Sequence, residues 1–500
     1  MFGLFISAVS KSRTREVMDT HNTLNAVLDE FLKISAIPRP SRHETQISEY
    51  LYQWALAHSL PVERDPNGNI IIEKQASTGY EAAPLTILQA HMDMVCTAAE
   101  GVIYNPLADP IRVKNDGRFL TADGTSLGAD NGIGMAICLY VLQNPHLQHG
   151  PLRVIFTVNE EDGMDAASMD SRYFNADYLI NLDWEESGSL CNSCADSVCF
   201  TFSRSAAWEP VAEGDQSITL KYSGLKGGHS GMDIHRGRAN AIACMATLLT
   251  ALQQSGLDFR IAEFCGGQAI NAIPSSAAAR IVLRADACDR AKSFLTKLGA
   301  TLQIAYGSVE RTGTWNVSMD HEVPDRVLER AVGYALIELI SVVPDGVHAR
   351  NAQHPEFVES SSNAGLVRIC DQSVSFKSFS RSSVEYRRIQ SEAIFRSLAE
   401  HYGFDLMADH MSPAWIARPG SRLTDLACTA YKALTGEEMR IRSIHAGLEC
   451  AVFAEKNPAL DMIAIGPTLT DVHSPDEKCR LADVESTTLL LLRILEKLIS

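Results

Sequence analysis

A chain of 500 residues exceeds what one hydrophobic core usually supports, so two domains, or one domain with a large insertion, are expected. Its 46% hydrophobic and 21% charged residues, with no low-complexity tract, exclude wholesale disorder. Lys and Arg number 44 against 61 Asp and Glu, and the net charge of −17 argues against nucleic acid and anionic membrane as partners, since both need clustered cations.

Residues 1–19 read as an N-terminal extension: the apolar MFGLFISAVS precedes Lys11, Arg13 and Arg15, the reverse of a secretion signal. Leu24, Val27, Leu28, Phe31 and Leu32 then have helical spacing, which stops at Pro38. Ser41 followed by Glu44 is a capping box that predicts a second helix through Trp54. After the turn Pro66-Asn67-Gly68 a strand is predicted from Asn69 to Lys74. LTILQA, RVIFTV, YLINL and DMIAIG are short runs apolar on both faces, and with helical stretches between them they predict an α/β fold, a mostly parallel sheet with helices on both faces. Between them SITLKYSG, a helix over 238–254, ARIVLRAD, SVSFKSFS and a helix over 384–401 have the alternating pattern of an inserted α+β lid domain. The expected division is a discontinuous catalytic domain over 20–196 and 416–500, and an insertion over 197–415 long enough for two lobes, since domains commonly run about 100–150 residues.

No run approaches the roughly 20 apolar residues of a membrane span. The 12 cysteines, scattered from Cys96 to Cys479, fit reduced thiols, so a cytoplasmic location is expected. Cys191 and Cys194 form one CxxC without the second pair a zinc ribbon needs, and the spacing is read as incidental.

In open α/β sheets ligands bind at the carboxyl ends of the strands. LTILQA runs into His91-Met92-Asp93, RVIFTV into Asn159-Glu160-Glu161 and YLINL into Asp183; DMIAIG leads on to His473, and Asp130 lies in GADNGIG at a predicted helix start. Two histidines and three carboxylates suit a pair of zinc or similar divalent ions, and Asp130 is the candidate bridge. In the pair Glu160-Glu161, one carboxylate can bind metal while its neighbour takes a proton from water; Asp93 can orient the ring of His91. Each motif alone is common in ordinary loops and helix faces. Their joint occurrence, each after an apolar strand, points to metal chemistry.

HMDMV, GADNGIGMA, NEEDGMD, NLDWEE, GLKGGHSGMDIHRG, NAIP, HAGLEC and GPTLTDVHSPDE resemble the aminoacyl-histidine dipeptidase branch (Xaa-His dipeptidase, cytosol non-specific dipeptidase, bacterial carnosinase) of the dinuclear-zinc family that includes aminoacylase and carboxypeptidase G. The resemblance runs from about residue 24 to the end. It implies two Zn2+ per chain, with Co2+ or Mn2+ as substitutes: His91 and Asp183 on one, Glu161 and His473 on the other, Asp130 bridging. Glu160 is the implied base and Asp93 the carboxylate behind His91. His229 in GGHSG is implied to close over the site and stabilise the tetrahedral intermediate, while Asn271 in NAIP and Arg381 in SRS are implied to bind the substrate carbonyl region and terminal carboxylate. The implied substrates are dipeptides of the Xaa-His type, such as Gly-His or β-alanyl-His. An N-acyl-amino-acid hydrolase is the alternative within hydrolases. A non-catalytic metal or peptide binder is disfavoured, because a binder needs Glu161 but not Glu160. A homodimer is left open.

Overall fold

In a computed structural model of the chain, residues 23–352 and 354–499 are described, so the reading of residues 1–19 lies outside them. The chain forms two compact units. The first comprises the residues up to Ser193 with Ala417–Ser443 and Leu448–Ser500; the second is Cys194–Ile416 with Ile444–Gly447. The return of Ile444–Gly447 has no counterpart in the expected boundaries. Ile444 ends the strand Arg440–Ile444, and within the second unit the segment is held by Ala195 N donating to Ile444 O at 3.1 Å and by Ser361 Oγ, 2.7 Å from His445 Nε2.

The first unit is built on an eight-stranded sheet in the order Val62–Arg64, Ile70–Lys74, Leu152–Thr157, Thr86–His91, Tyr178–Asn181, Asp461–Ala464, Ser189–Cys194, Arg440–Ile444. The four apolar runs are its middle strands and pair in parallel. Around them, Val62–Arg64, Ile70–Lys74 and Ser189–Cys194 pair antiparallel, so the sheet is mixed, a correction to the mostly parallel expectation. One of these pairings is local: the turn Pro66-Asn67-Gly68 joins Val62–Arg64 to Ile70–Lys74, and strands joined by a tight turn can only run antiparallel. The other two bring together strands distant along the chain. Thr86–His91 is buried throughout, as a central strand covered on both faces must be. The helix Ala129–Gln143 packs on it and is itself buried on nearly every side, which is why its sequence has no polar stripe.

Two smaller features steer the chain. Leu469–Thr470 pairs with Lys478–Arg480, and Cys479 in turn lies opposite Leu120, so residues 471–477 form a hairpin loop beside the segment that leads to Asp130. The second helix is Thr45–Ala57, and the expected capping box does not cap it. Ser41 Oγ instead donates to Asp93 Oδ2 at 2.7 Å, and Glu44 Oε1 accepts from the N–H groups of Arg42 and Asn159, both at 2.9 Å.

The second unit holds a nine-stranded antiparallel sheet: Thr314–Met319, Asp215–Ser223, Ala277–Arg284, Arg260–Gly266, Val358–Ile369, Ser373–Ser382, Asp196–Ser205 and Asp405–Ser412 in order, with Gly346–Arg350 also on Val358–Ile369. The insertion, long enough for two lobes, is one compact unit whose sheet is continuous where Gly266 faces Val367. Among the described residues no helix is long and apolar enough to cross a membrane.

The loops that follow Tyr178–Asn181 and Asp461–Ala464 approach so closely that a Cβ on Gly466 would stand 1.8 Å from the carbonyl oxygen of Trp184. Backbone cannot yield as a flexible side chain can. Gly466→Ala is therefore expected to cost about 1–3 kcal/mol, the usual cost of overpacking. A thermal melt reads this directly, and a midpoint within about 1 °C of the parent would contradict it.

Candidate metal centre

The parallel strands deliver their carboxyl ends to one edge. His91 closes Thr86–His91, Glu160 opens the single helical turn Glu160–Gly163 after Leu152–Thr157, and Asp183 follows Tyr178–Asn181. Asp130 stands at the start of Ala129–Gln143 and His473 in the 471–477 loop. Asn159 and His473 have φ of 53° and 61°, left-handed values that a non-glycine residue adopts only where its surroundings enforce them.

His91 Nε2 lies 3.0 Å from Asp130 Oδ1 and 3.3 Å from Asp183 Oδ1. His473 Nε2 lies 3.1 Å from Asp130 Oδ2 and 3.0 Å from Glu161 Oε1. Two groups of possible metal-binding atoms result, His91 with Asp130 and Asp183, and Asp130 with Glu161 and His473. Each oxygen of Asp130 faces one imidazole. Asp93, fully buried, lies behind His91 with Oδ1 3.3 Å from Nδ1, and it accepts the backbone N–H groups of Glu160 at 3.0 Å and Glu161 at 3.2 Å.

The electrostatics fit a cation site. Burial opposes charge on His91, yet Asp183, Asp130 and Asp93 hold its pKa well above the usual value; hydrogen bonds to Asp130 and Glu161 push that of His473 up to about 11. Burial pushes Asp183 up to about 7 and Glu185 up to about 8, helped by the neighbouring carboxylates, and burial likewise drives Glu160 well above the carboxylate range. Strongly negative potential around two imidazoles is what divalent cations neutralise. The donor set of imidazole and carboxylate without thiolate suits zinc and its neighbours in the first transition row.

Beneath this edge lies a buried polar network. Gln89 Nε2 donates to Thr157 Oγ1 at 3.1 Å and Glu449 Oε2 at 2.6 Å; Thr157 Oγ1 donates to the same Glu449 oxygen at 2.8 Å. Asn181 Nδ2 donates to Gln89 Oε1 at 2.6 Å, while its Oδ1 accepts from Asp183 N at 3.1 Å. These bonds lock together the three strands that carry His91, Glu160 and Asp183. Glu449 and Glu185 were not singled out from the sequence, although HAGLEC and NLDWEE contain them; neither directly follows an apolar run as His91 and Asp183 do.

His229, Asn271 and Arg381 belong to the second unit. The strand Gly228–His229 pairs with Ala272–Ile273, and Asn271 O accepts from Ser230 N at 2.8 Å. His229 Nδ1 accepts from the N–H groups of Gly231 at 3.2 Å and Met232 at 3.0 Å, so the neutral ring carries its hydrogen on Nε2. Burial, then the charge of Arg381, lowers its pKa to about 4. Arg381 Nη2 lies 3.4 Å from His229 Nε2, so two donors converge as they would on an anion. The side chain of Asn271 is exposed.

The sequence matches Peptidase family M20/M25/M40 over residues 87–497. It is 36% identical over 472 residues to the cytosol non-specific dipeptidase of Escherichia coli (strain K12), covering 94% of this chain and 97% of that protein. The crystal structure of aminoacylhistidine dipeptidase from Vibrio alginolyticus superposes with a TM-score of 0.86 at 34% identity, over 94% of this chain and 96% of that one. An aminopeptidase from Bacillus cereus shares the fold at a TM-score of 0.55 and 15% identity, over 95% and 99% of the two chains. Together with the strand-end constellation, a match spanning most of the chain makes the assignment: this protein is a member of peptidase family M20/M25/M40.

Proposed function

We propose that the protein is a dipeptidase that depends on two zinc ions, with cobalt or manganese as substitutes, and that its substrates include Xaa-His dipeptides such as Gly-His and β-alanyl-His. The observation that carries the two-ion reading is Asp130, whose two oxygens each face a separate imidazole–carboxylate group. The dipeptide reading is supported by the names of the Escherichia coli and Vibrio alginolyticus relatives. The first of these also supports a cytoplasmic site of action.

In this reading His91 and Asp183 would hold one ion and Glu161 and His473 the other, with Asp130 contributing to both groups. When bound, the ions supply Lewis acidity to water and to the scissile carbonyl. Glu160, adjacent in sequence to Glu161 but outside either ligand group, is the base: it takes the proton of the attacking water and passes it to the leaving amine. Burial raises its proton affinity, which favours the uptake step. Asp93 fixes the ring of His91 and, through two backbone N–H groups, the turn that presents Glu160. His229 donates from Nε2 to the developing oxyanion, Arg381 takes the terminal carboxylate, and Asn271 binds the carbonyl region.

Glu160→Gln is expected to lower turnover by about 10²–10⁴-fold, the usual contribution of a general base, while metal analysis still finds both ions. Loss of an ion would instead make Glu160 a ligand. His473→Ala is expected to lower the metal content, and a variant that keeps two tightly held ions would remove His473 from the ligand set. Substrate class is decided by a panel with added zinc, cobalt or manganese. Gly-His and β-alanyl-His are expected to be cleaved and N-acetyl amino acids not; the opposite preference would identify an N-acyl-amino-acid hydrolase.

A further inference from the structure

Just before Asp130 the chain makes a tight turn at Gly128, whose φ is 68°, and two buried charges of opposite sign grip this turn from its two polar sides. The carboxylate of Glu477 receives four successive backbone N–H groups: Leu127 at 2.8 Å and Gly128 at 2.9 Å on Oε2, Ala129 at 2.8 Å and Asp130 at 3.4 Å on Oε1. The guanidinium of Arg39 takes carbonyls: Nη2 donates to Gly128 O at 2.5 Å, and Nη1 to Met92 O and Asp93 O, both at 2.9 Å. Arg39 is 1% and Glu477 2% exposed. A Cβ on Gly128 would meet Arg39 Nη2 at 2.7 Å and Met94 Sδ at 2.6 Å, so the grip closes only around glycine.

Glu477 ends the loop that carries His473, and Met92 and Asp93 directly follow His91. The same two side chains therefore tie together the backbones that bear His91, Asp130 and His473, three residues that share no secondary-structure element. We propose that Glu477 and Arg39 are positioning residues that set the spacing of these three ligands, and thereby the affinity for both ions. This rests on the metal-ligand reading above. The physical reason is the nature of the bonds. Seven charge-assisted contacts, five on the turn at Gly128 and two on the backbone after His91, fix these peptide planes, whereas the ligand side chains, left to mutual repulsion of their carboxylates, would spread apart. A shift of a few tenths of an ångström at Asp130 would detune both groups at once, since Asp130 belongs to both.

The test compares two buried carboxylates of the same unit. Glu477→Gln keeps the shape, but its amide nitrogen then faces backbone N–H groups. Asp461, whose carboxylate takes the hydroxyl of Ser421 at 2.6 Å and the N–H of Leu423 at 3.1 Å, serves as the control for general destabilisation. Zinc affinity is measured by competition with a chelating dye, and the ligand field from the visible spectrum of the cobalt-loaded protein. Glu477→Gln is expected to weaken zinc binding about 10–100-fold and to change the cobalt spectrum, as loss of a partner behind a metal ligand typically does; Asp461→Asn is expected to lower the melting temperature and leave both unchanged. If Glu477→Gln does not fold, Arg39→Lys, which keeps the charge and loses the fork, is expected to give the same weakening. Parent-like affinity and spectrum in the folded variant, or equal weakening in Asp461→Asn, would overturn the proposal. A parent that binds no zinc at all would overturn the metal reading itself, and this outcome is distinct from a parent that binds two ions indifferent to Glu477.

Discussion

Everything at the carboxyl edge of the central sheet answers to one electrostatic constraint: Asp93, Asp130, Glu160, Glu161, Asp183 and Glu185 crowd around two imidazoles in a largely buried space. Charges of one sign so placed repel strongly at low dielectric, and proteins accept such a concentration where a cation balances it. The raised pKa values of His91, His473, Asp183 and Glu185 are the same fact seen from the proton's side. Under the two-ion proposal, cations would balance this charge.

The fold opposes that repulsion by fixing backbones rather than side chains. Parallel pairing aligns the ends of Thr86–His91, Leu152–Thr157 and Tyr178–Asn181, and the Gln89, Thr157, Asn181 and Glu449 network cross-links them just below the candidate ligands. Asp93 performs two tasks at once, facing the ring of His91 and accepting the N–H groups that begin the Glu160–Gly163 turn. Ser41 in turn donates to Asp93. Rigid support of this kind is what a catalytic constellation needs, because small displacements of a reacting group carry large rate penalties.

Much of this was legible in the sequence because its causes are local. An apolar run followed within three residues by His, Glu or Asp shows both the buried strand and the group at its end, and His91, Glu160, Glu161 and Asp183 all follow that pattern. What was illegible depends on partners distant along the chain. Ser41 and Glu44 have the spacing of a capping box, yet their side chains go to Asp93 and to the N–H of Asn159, contacts no local rule foresees. The antiparallel edges of the sheet and the single sheet of the second unit are decided by pairings such as Gly266 with Val367, a hundred residues apart. Arg39 and Glu477 are unremarkable charges in sequence and become informative only when their backbone partners at Gly128 are known.

The central claim is that Asp130 is shared by two metal groups while Asp183 serves one, and the zinc stoichiometry of Asp130→Ala and Asp183→Ala under limiting free zinc tests it most directly. The account predicts that Asp130→Ala loses affinity at both sites and Asp183→Ala at one. Equal retention of one ion by both variants, or two ions in Asp130→Ala, would contradict it.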